Sequence, residues 1–220
     1  MQKPKALLSW SSGKDSAWAL HTIRLKGEVE IAGLVTTINE RYDRVAMHAV
    51  RVSLLEQQAE SAGVPLWKVP IPDPCSNEQY EAAMKQLLEK ARAEGISHFV
   101  FGDLFLEDIR QYREKQLSNT GITPLFPLWK IPTDQLARDM VHAGLRAYIT
   151  CVDPKQIPRS FAGRIFEEEF LNDLPASVDP CGERGEFHSF AFAGPMFRYP
   201  LEIKPGEIVE RGGFVFADLF

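Results

Sequence analysis

Short apolar runs alternate with amphipathic stretches along the first 125 or so residues of the chain. KALLSW, residues 5–10, reads as a short apolar strand. A helix signal follows from Asp15 to about Leu25, and Gly27 closes it. VEIAGLVTTI, residues 29–38, is rich in β-branched residues and predicts a buried strand. NERYDR is a polar loop. Over residues 45–62, Ala49, Val52, Leu55, Ala59 and Ala62 recur at helical spacing until Gly63. VPLWKVPI predicts a strand. PDPCSNEQY gives a turn with Ser76 or Asn77 placed to cap a helix that runs to about Glu94 and stops at Gly95. SHFVFGD is the next strand, residues 107–118 read as helical, and GITPLFPLW is a further apolar segment.

Strand and helix in alternation predict an α/β fold, a doubly wound and mostly parallel sheet covered by helices. In such sheets ligands collect at the carboxyl ends of the strands. Two polar clusters fall there: SSGKDS after the first strand and GD after the fourth. The remainder changes character. A helix, TDQLARDMVHAG, follows Pro132, then a strand, LRAYITCVD, and a helix-like stretch over residues 160–171. From about Leu174 the chain turns to Pro- and Gly-rich loops and short strands. The expected division is residues 1–127 for the sheet domain and 128–220 for a smaller α+β domain. No linker separates them, which predicts firm packing.

Composition narrows the function classes. Of 220 residues, 45% are hydrophobic and 25% charged, an ordinary globular balance. A formal net charge of -5 argues against a nucleic-acid grip across a broad face. No apolar run is long enough for a signal peptide or a membrane span, so the expected location is cytoplasmic. The three cysteines, Cys75, Cys151 and Cys181, are far apart and form no CxxC, which fits a reducing compartment and no zinc site. A homodimer is the default expectation for a soluble oligomer.

In LLSWSSGKDS, serine hydroxyls, amides freed by a tight turn and a helix start make an anion cradle. Gly13 lets the backbone turn sharply, and Lys14 adds a mobile positive charge. The Walker pattern GxxxxGK[ST] is absent, which disfavours a P-loop kinase or GTPase. Instead, Ser11-Ser12-Gly13-Lys14-Asp15-Ser16 resembles the PP-loop signature SGGxDS of the ATP pyrophosphatases, with Ser12 where the usual form has glycine. GDLFLED at 102–108, FPLW at 126–129, FAGR at 161–164 and CGERGEFHSF at 181–190 recur in this order in one branch. On these segments the chain resembles the diphthine–ammonia ligase (diphthamide synthesis) family, and MHAVR and DPCSNEQYEAA look closest to its bacterial relatives.

That resemblance implies a Rossmann-like, adenine nucleotide alpha hydrolase-like domain. It also implies an ATP-dependent ligase that splits ATP to AMP and pyrophosphate. A carboxylate acceptor, small or protein-borne, would be activated as an adenylate and joined to ammonia or an amine. Ser11, Ser12, Gly13, Lys14, Asp15 and Ser16 are the candidate phosphate cradle, with Gly102. Val35, Thr36 and Thr37, at the end of the second strand, could lend backbone groups to adenine. Asp103 could bind Mg²⁺, orient phosphates or the acceptor, or merely cap the next helix, as Glu107 and Asp108 could. Glu183, Glu186 and His188 form a candidate catalytic loop that could place ammonium or take its proton; a glycine-rich turn with exposed glutamates is the plain alternative. Arg41, Arg44, His48, Tyr112 and Arg113 are candidate acceptor contacts. Two other functions stay open at this point: a sulfurtransferase acting on tRNA through one of the cysteines, and a nucleotide sensor without turnover. The aromatic residues read as core or interface, since their own stretches lack the interleaved positive charge of a base-stacking platform.

Overall fold

A computed structural model describes residues 3–39, the backbone of 44–45, and residues 50–220. In chain order the first unit comprises β1 (Lys5–Ser9), α1 (Lys14–Lys26), β2 (Glu30–Asn39), β3 (Arg44–Val45), α2 (Val52–Ala62), β4 (Leu66–Ile71), α3 (Asn77–Ala93), β5 (Ile96–Val100), α4 (Glu107–Leu117) and β6 (Thr123–Leu125). Five strands are parallel in the order β4-β2-β1-β5-β6, and β3 pairs antiparallel with Ile38 and Asn39 at the end of β2. The alternation of apolar side chains across β1 explains the layering. Ala6 and Leu8 face one core with Leu20 of α1 and Leu55 of α2. Leu7 faces the other with Leu87, Leu88 and Ala91 of α3 and Leu117 of α4. Helices therefore cover both faces, and the chain reverses direction between β1 and β5.

The second unit contains α5 (Thr133–His142), β7 (Arg146–Val152), a 3₁₀ turn (Arg159–Phe161), α6 (Glu168–Asp173), β8 (Phe187–Ala193), β9 (Pro205–Arg211) and β10 (Phe214–Leu219). Its sheet is antiparallel, ordered β8-β7-β10-β9. One apolar cluster spans both units, joining Leu8, Leu20 and Leu55 to Met140, Phe166 and Phe190. In α1, Ser16, Ala17, Trp18, Ala19, Leu20 and Ile23 are all buried, too many for a single stripe. A helix apolar on most sides is covered on most sides, and α1 touches β1 and β2 on one flank and β8 on the other.

Two expected helices differ from those observed. The run over 45–62 is helical only from Val52; Val50 and Arg51 lie outside the helix, with Arg51 extended at its start, and residues 46–49 lie outside the described residues. Arg51 instead reaches the end of the chain, donating to Asp218 Oδ2 (2.7 Å) and the Leu219 carbonyl (3.2 Å). The stretch 160–171 is broken in two. Gly163 has φ +80°, and the following residues lie extended along β7, with Ile149 donating to the Arg164 carbonyl and Phe166 to that of Ala147. At α3 the cap is Ser76, which forms a reciprocal capping box with Gln79.

Gln58 of α2 ties the two units at their centre. It is fully buried. Its Oε1 accepts from Trp10 Nε1 (2.8 Å), and its Nε2 donates to the carbonyls of Ser12 (2.9 Å) and Ala191 (2.6 Å). Gln58→Leu keeps the volume, strands the buried Trp10 Nε1 donor and takes one hydrogen bond from each of the Ser12 and Ala191 carbonyls. The expected loss is about 3 kcal/mol, read from the urea midpoint of unfolding, at the low end of an additive count.

Candidate active site

The point where the sheet order reverses, between the carboxyl ends of β1 and β5, is where an open α/β sheet forms a crevice. Residues 10–16 leave β1 there and Gly102-Asp103 leave β5. Ser12 holds a left-handed conformation, φ 69°. A residue with a Cβ is strained there, which explains why glycine suits this position. Ser12 is pinned from three directions: its carbonyl accepts from Gln58 Nε2 and from the Ala191 amide (2.9 Å), and its side chain is wholly buried. Ser12 Oγ has no hydrogen-bond partner among the described residues. Ser11 Oγ lies 3.1 Å from Ser16 Oγ and accepts from the Gly13 amide (3.3 Å). Gly13, the residue before α1, offers no side-chain cap; its own amide goes to Ser11 Oγ and that of Lys14 to Ser189 Oγ, which leaves the Asp15 and Ser16 amides as the donor surface of the helix start. Glycine at position 102 allows a close approach, since a Cβ there would stand 3.1 Å from the backbone of Asp15 and Ser16.

A loop from the second unit, residues 179–186, closes over this crevice. Lys14 fastens it. The side chain is 2% exposed; its Nζ donates to both Asp15 carboxylate oxygens (3.0 and 2.9 Å) and to the Cys181 carbonyl. The rings of Phe166 and Phe187 flank the ammonium at 5.6 and 5.3 Å. Burial pulls the Lys14 pKa down, but Asp15, Cys181 and Glu183 together raise it above the ordinary value, so the group stays charged. Ser189 Oγ accepts from the Lys14 amide (3.2 Å). Within the loop, Glu186 is 2% exposed and accepts from the amides of Asp179 and Arg184, both at 2.9 Å. Asp179 in turn accepts from the amides of Cys181 (3.0 Å) and Glu183 (3.3 Å) and from Thr133 Oγ1 (2.6 Å).

Glu183 reaches back across the crevice and accepts from the Leu104 amide at 2.9 Å. Burial pushes its carboxyl up to about 7, the Leu104 bond and Lys14 oppose this, and Asp15 and Asp103 reinforce it. Burial also raises Asp103, with Arg113 opposing and Asp15 adding. Asp103 Oδ2 and Arg113 Nε are 3.8 Å apart, and neither has a hydrogen-bond partner among the described residues. Asp15, Asp103 and Glu183 thus form one interacting acidic group beside a single buried ammonium. Burial lowers His188, Lys14 adds to this, and the imidazole is neutral at neutral pH.

Several expectations need correction. Lys14 is not a mobile cation, because its charge is spent inside the protein. Glu186 has no carboxylate oxygen left for chemistry; it holds the loop's own backbone. Thr36 Oγ1 donates to the Trp10 carbonyl (2.6 Å) and the Val35 carbonyl accepts from the Trp10 amide (2.8 Å), so both bind the loop, while Thr37 is partly exposed beside them. Tyr112 lines a groove between α3 and α4 with Met84 and Leu88, and its hydroxyl accepts from Gln116. Arg41 and His48 lie outside the described residues. No group of three or more His, Cys, Asp or Glu placed to hold a metal occurs among the described residues, so Asp103 has no protein-built Mg²⁺ cage around it. Positive charge does meet the aromatics: Arg110 lies 4.9 and 4.7 Å from the rings of Phe126 and Trp129, and Arg113 lies 5.0 Å from Phe101. Gln58 and Asp179 escaped the sequence reading. The signals were a polar residue inside an apolar helical stripe and an Asp opening a Pro/Gly turn.

The sequence pattern of the diphthamide synthase N-terminal domain matches residues 4–124, and that of the diphthamide synthase C-terminal domain matches residues 132–217. The diphthine–ammonia ligases of Bos taurus and Homo sapiens are each 25% identical over 237 residues, which cover 94% of this chain and 85% of those proteins. That of Danio rerio is 24% identical over 234 residues, covering 94% and 89%.

Two outcomes separate the glutamates. Glu186→Ala strands the buried Asp179 amide and leaves the part-buried Arg184 amide to water, and is expected to lower stability by about 2 kcal/mol in urea unfolding. Glu183 behaves differently, because its folded pKa of about 7 lies above its ordinary 4.5. The folded chain retains a proton that the unfolded chain releases, so this residue weakens the fold progressively as pH rises across that window. Glu183→Gln keeps the acceptor for Leu104 and removes the cost. Thermal melts are expected to show it gaining more over the wild type at pH 8 than at pH 5.

Proposed function

The chain belongs to the diphthamide synthase family, and on that premise we propose that it is an ATP-dependent, amide-forming ligase of the ATP pyrophosphatase type, acting on a carboxylate acceptor with ammonia or an amine. The observation that carries this reading is the acidic group of Asp15, Asp103 and Glu183 at the phosphate-binding turn, with one carboxyl poised near neutrality. The outer phosphates of ATP rest on the start of α1 and the hydroxyls of Ser11 and Ser16. The acceptor carboxylate attacks the α-phosphorus, the bond to pyrophosphate breaks, and an acyl adenylate forms. Ammonia then attacks the acyl carbon and AMP leaves.

Ammonium is the form that dominates at neutral pH, and it is not a nucleophile. Asp103 attracts the cation, and Glu183 takes its proton, a role that suits a carboxylate with a pKa near the working pH. Lys14 acts through position: its ammonium fixes the loop that carries Glu183. Arg113 sits beside Asp103 and serves the acceptor carboxylate, and Arg41 and His48 remain proposed acceptor contacts. Mg²⁺ would be held by the nucleotide phosphates with one or two carboxylates at most, Asp103 among them.

The two buried cysteines speak against sulfur transfer through either of them, which leaves only the partly exposed Cys75 for that chemistry. Burial pushes the Cys181 thiol far up, only partly offset by Lys14, and pushes Cys151 up to about 11. Neither is a ready thiolate. No helix among the described residues is long and apolar enough to cross a membrane.

The test is product identity. With ATP, a carboxylate library and ammonium, pyrophosphate and AMP are expected, and Glu183→Gln is expected to slow amide formation about 100-fold. ADP as product contradicts the mechanism. Tight ATP binding with no turnover on any acceptor returns the reading to a sensor.

A further inference from the structure

Among the described residues seven large hydrophobic side chains are exposed; Ile208 (56%), Val209 (43%) and Phe214 (39%) lie on one hairpin, and Phe220 (53%) follows its last strand, 4.4 Å from the Arg51 guanidinium. The hairpin is β9–β10, turning through Gly212 and Gly213, both at positive φ. β9 is the outer strand of the second sheet, seven residues long and exposed along most of its length. Long apolar edges are templates for pairing with another chain, and clustered exposed apolar surface marks an interface. In a two-residue hairpin the flanking pair, Arg211 and Phe214, exchange both backbone hydrogen bonds. The alternation then turns the backbone groups of Ile208 and Glu210 outward. Beyond Ile208 the register slips, which limits the usable edge to residues 207–211.

The geometry points to a second copy of this chain as the occupant, paired antiparallel across a two-fold axis through Val209. In that register Ile208 faces Glu210 of the other copy, and the two such pairs exchange four backbone hydrogen bonds. Glu207 meets the other Arg211, and Arg211 meets the other Glu207. No ion pair is recorded for either residue among the described residues of one chain, so both charges are available to close the pairing. Val209 meets itself on the axis. Its neighbour across the hairpin is Phe216, and Phe214 follows on the same face, so an apolar stripe continues from one copy into the next. An axis through Ile208 or through Glu210 also pairs outward-facing residues, but neither brings Glu207 to Arg211, and the axis through Glu210 sets two carboxylates against each other. The result is a continuous eight-stranded sheet, remote from the residues at the start of α1. An isologous contact of this kind closes on itself and does not grow into a filament.

Val209→Cys tests the axis directly. Cysteines facing each other at a non-hydrogen-bonded antiparallel pair are within disulfide reach, so the variant is expected to form a cross-linked dimer under mild oxidation. Ile208→Cys, which faces Glu210, and the wild type, with its own three cysteines, are expected not to. Light scattering on a sizing column is expected to give wild-type mass near twice 24.8 kDa. Val209→Lys, which sets two ammonium groups on the axis, and Arg211→Glu are expected to give the single-chain mass with an unchanged circular dichroism spectrum. Adding Glu207→Arg to Arg211→Glu is expected to restore the dimer. A wild type that stays at 24.8 kDa up to its solubility limit overturns the proposal, as does a dimer untouched by Val209→Lys.

Discussion

Burying the ammonium of Lys14 is the constraint from which the rest of the site follows. A charge taken out of water costs several kcal/mol unless a partner charge and hydrogen bonds replace the lost hydration. Here Asp15 supplies the charge, the Cys181 carbonyl the further acceptor, and Phe166 and Phe187 the flanking rings. One of those partners is local and three come from the second unit. The loop at 179–186 cannot lift away without leaving Lys14 short of an acceptor. The carbonyl of Cys181 must also be held at a fixed angle, and Asp179 and Glu186 do that by taking four amides of the same loop. Glu183 is therefore carried to the Leu104 amide by a rigid support.

A second set of contacts works on the other side of the same turn. Ser12 occupies a conformation that strains any residue with a Cβ, and the strain persists because the surroundings over-determine it. Gln58 and the Ala191 amide both bind its carbonyl, and Ala191 belongs to β8, three residues after His188 and two after Ser189. The anion-binding turn is thus assembled only when both sheets are in place. The sandwiching of α1 between them has the same consequence. Four successive apolar residues, Ala17 to Leu20, are buried, which is stable only with β8 present.

The architecture was legible where one local rule decided the outcome. Gly27 and Gly63 end α1 and α2 in left-handed conformations, Ser76 and Gln79 form the box that starts α3, and strand–helix alternation gives the parallel sheet. Reading failed where a long-range contact outweighed the local pattern. The helical look of residues 160–171 yields to β7, which recruits 164–166 as an extended neighbour. The site divides in the same way. The tight turn ahead of α1 was visible in residue types alone, because serine and glycine between a strand and a helix favour it. The direction of a lysine side chain is not written in its neighbours. Lys14 turns inward because Cys181, 167 residues on, offers an acceptor there. Glu183 and Glu186 look equivalent in GERGEF, yet one faces the crevice and the other its own backbone. Only the folded loop distinguishes them.

The inward turn of Lys14 changes what the crevice attracts. Had its ammonium faced the phosphates, the site would have been an anion cradle with a matching cation. With that charge matched by Asp15, and with Arg113 3.8 Å from Asp103, the balance near the turn rests on Glu183. Lys14 then offers a triphosphate no free cation, and one that arrives with its own counter-ion needs none. In the proposed reaction the substrate is ammonium, whose cationic form is abundant at neutral pH and whose neutral form is needed for attack. A Glu183 raised towards neutrality by burial would meet both demands there: ionised, it would attract the cation, and protonated, it would have taken the proton that made the cation inert. A carboxylate left at its ordinary pKa would do the first and not the second.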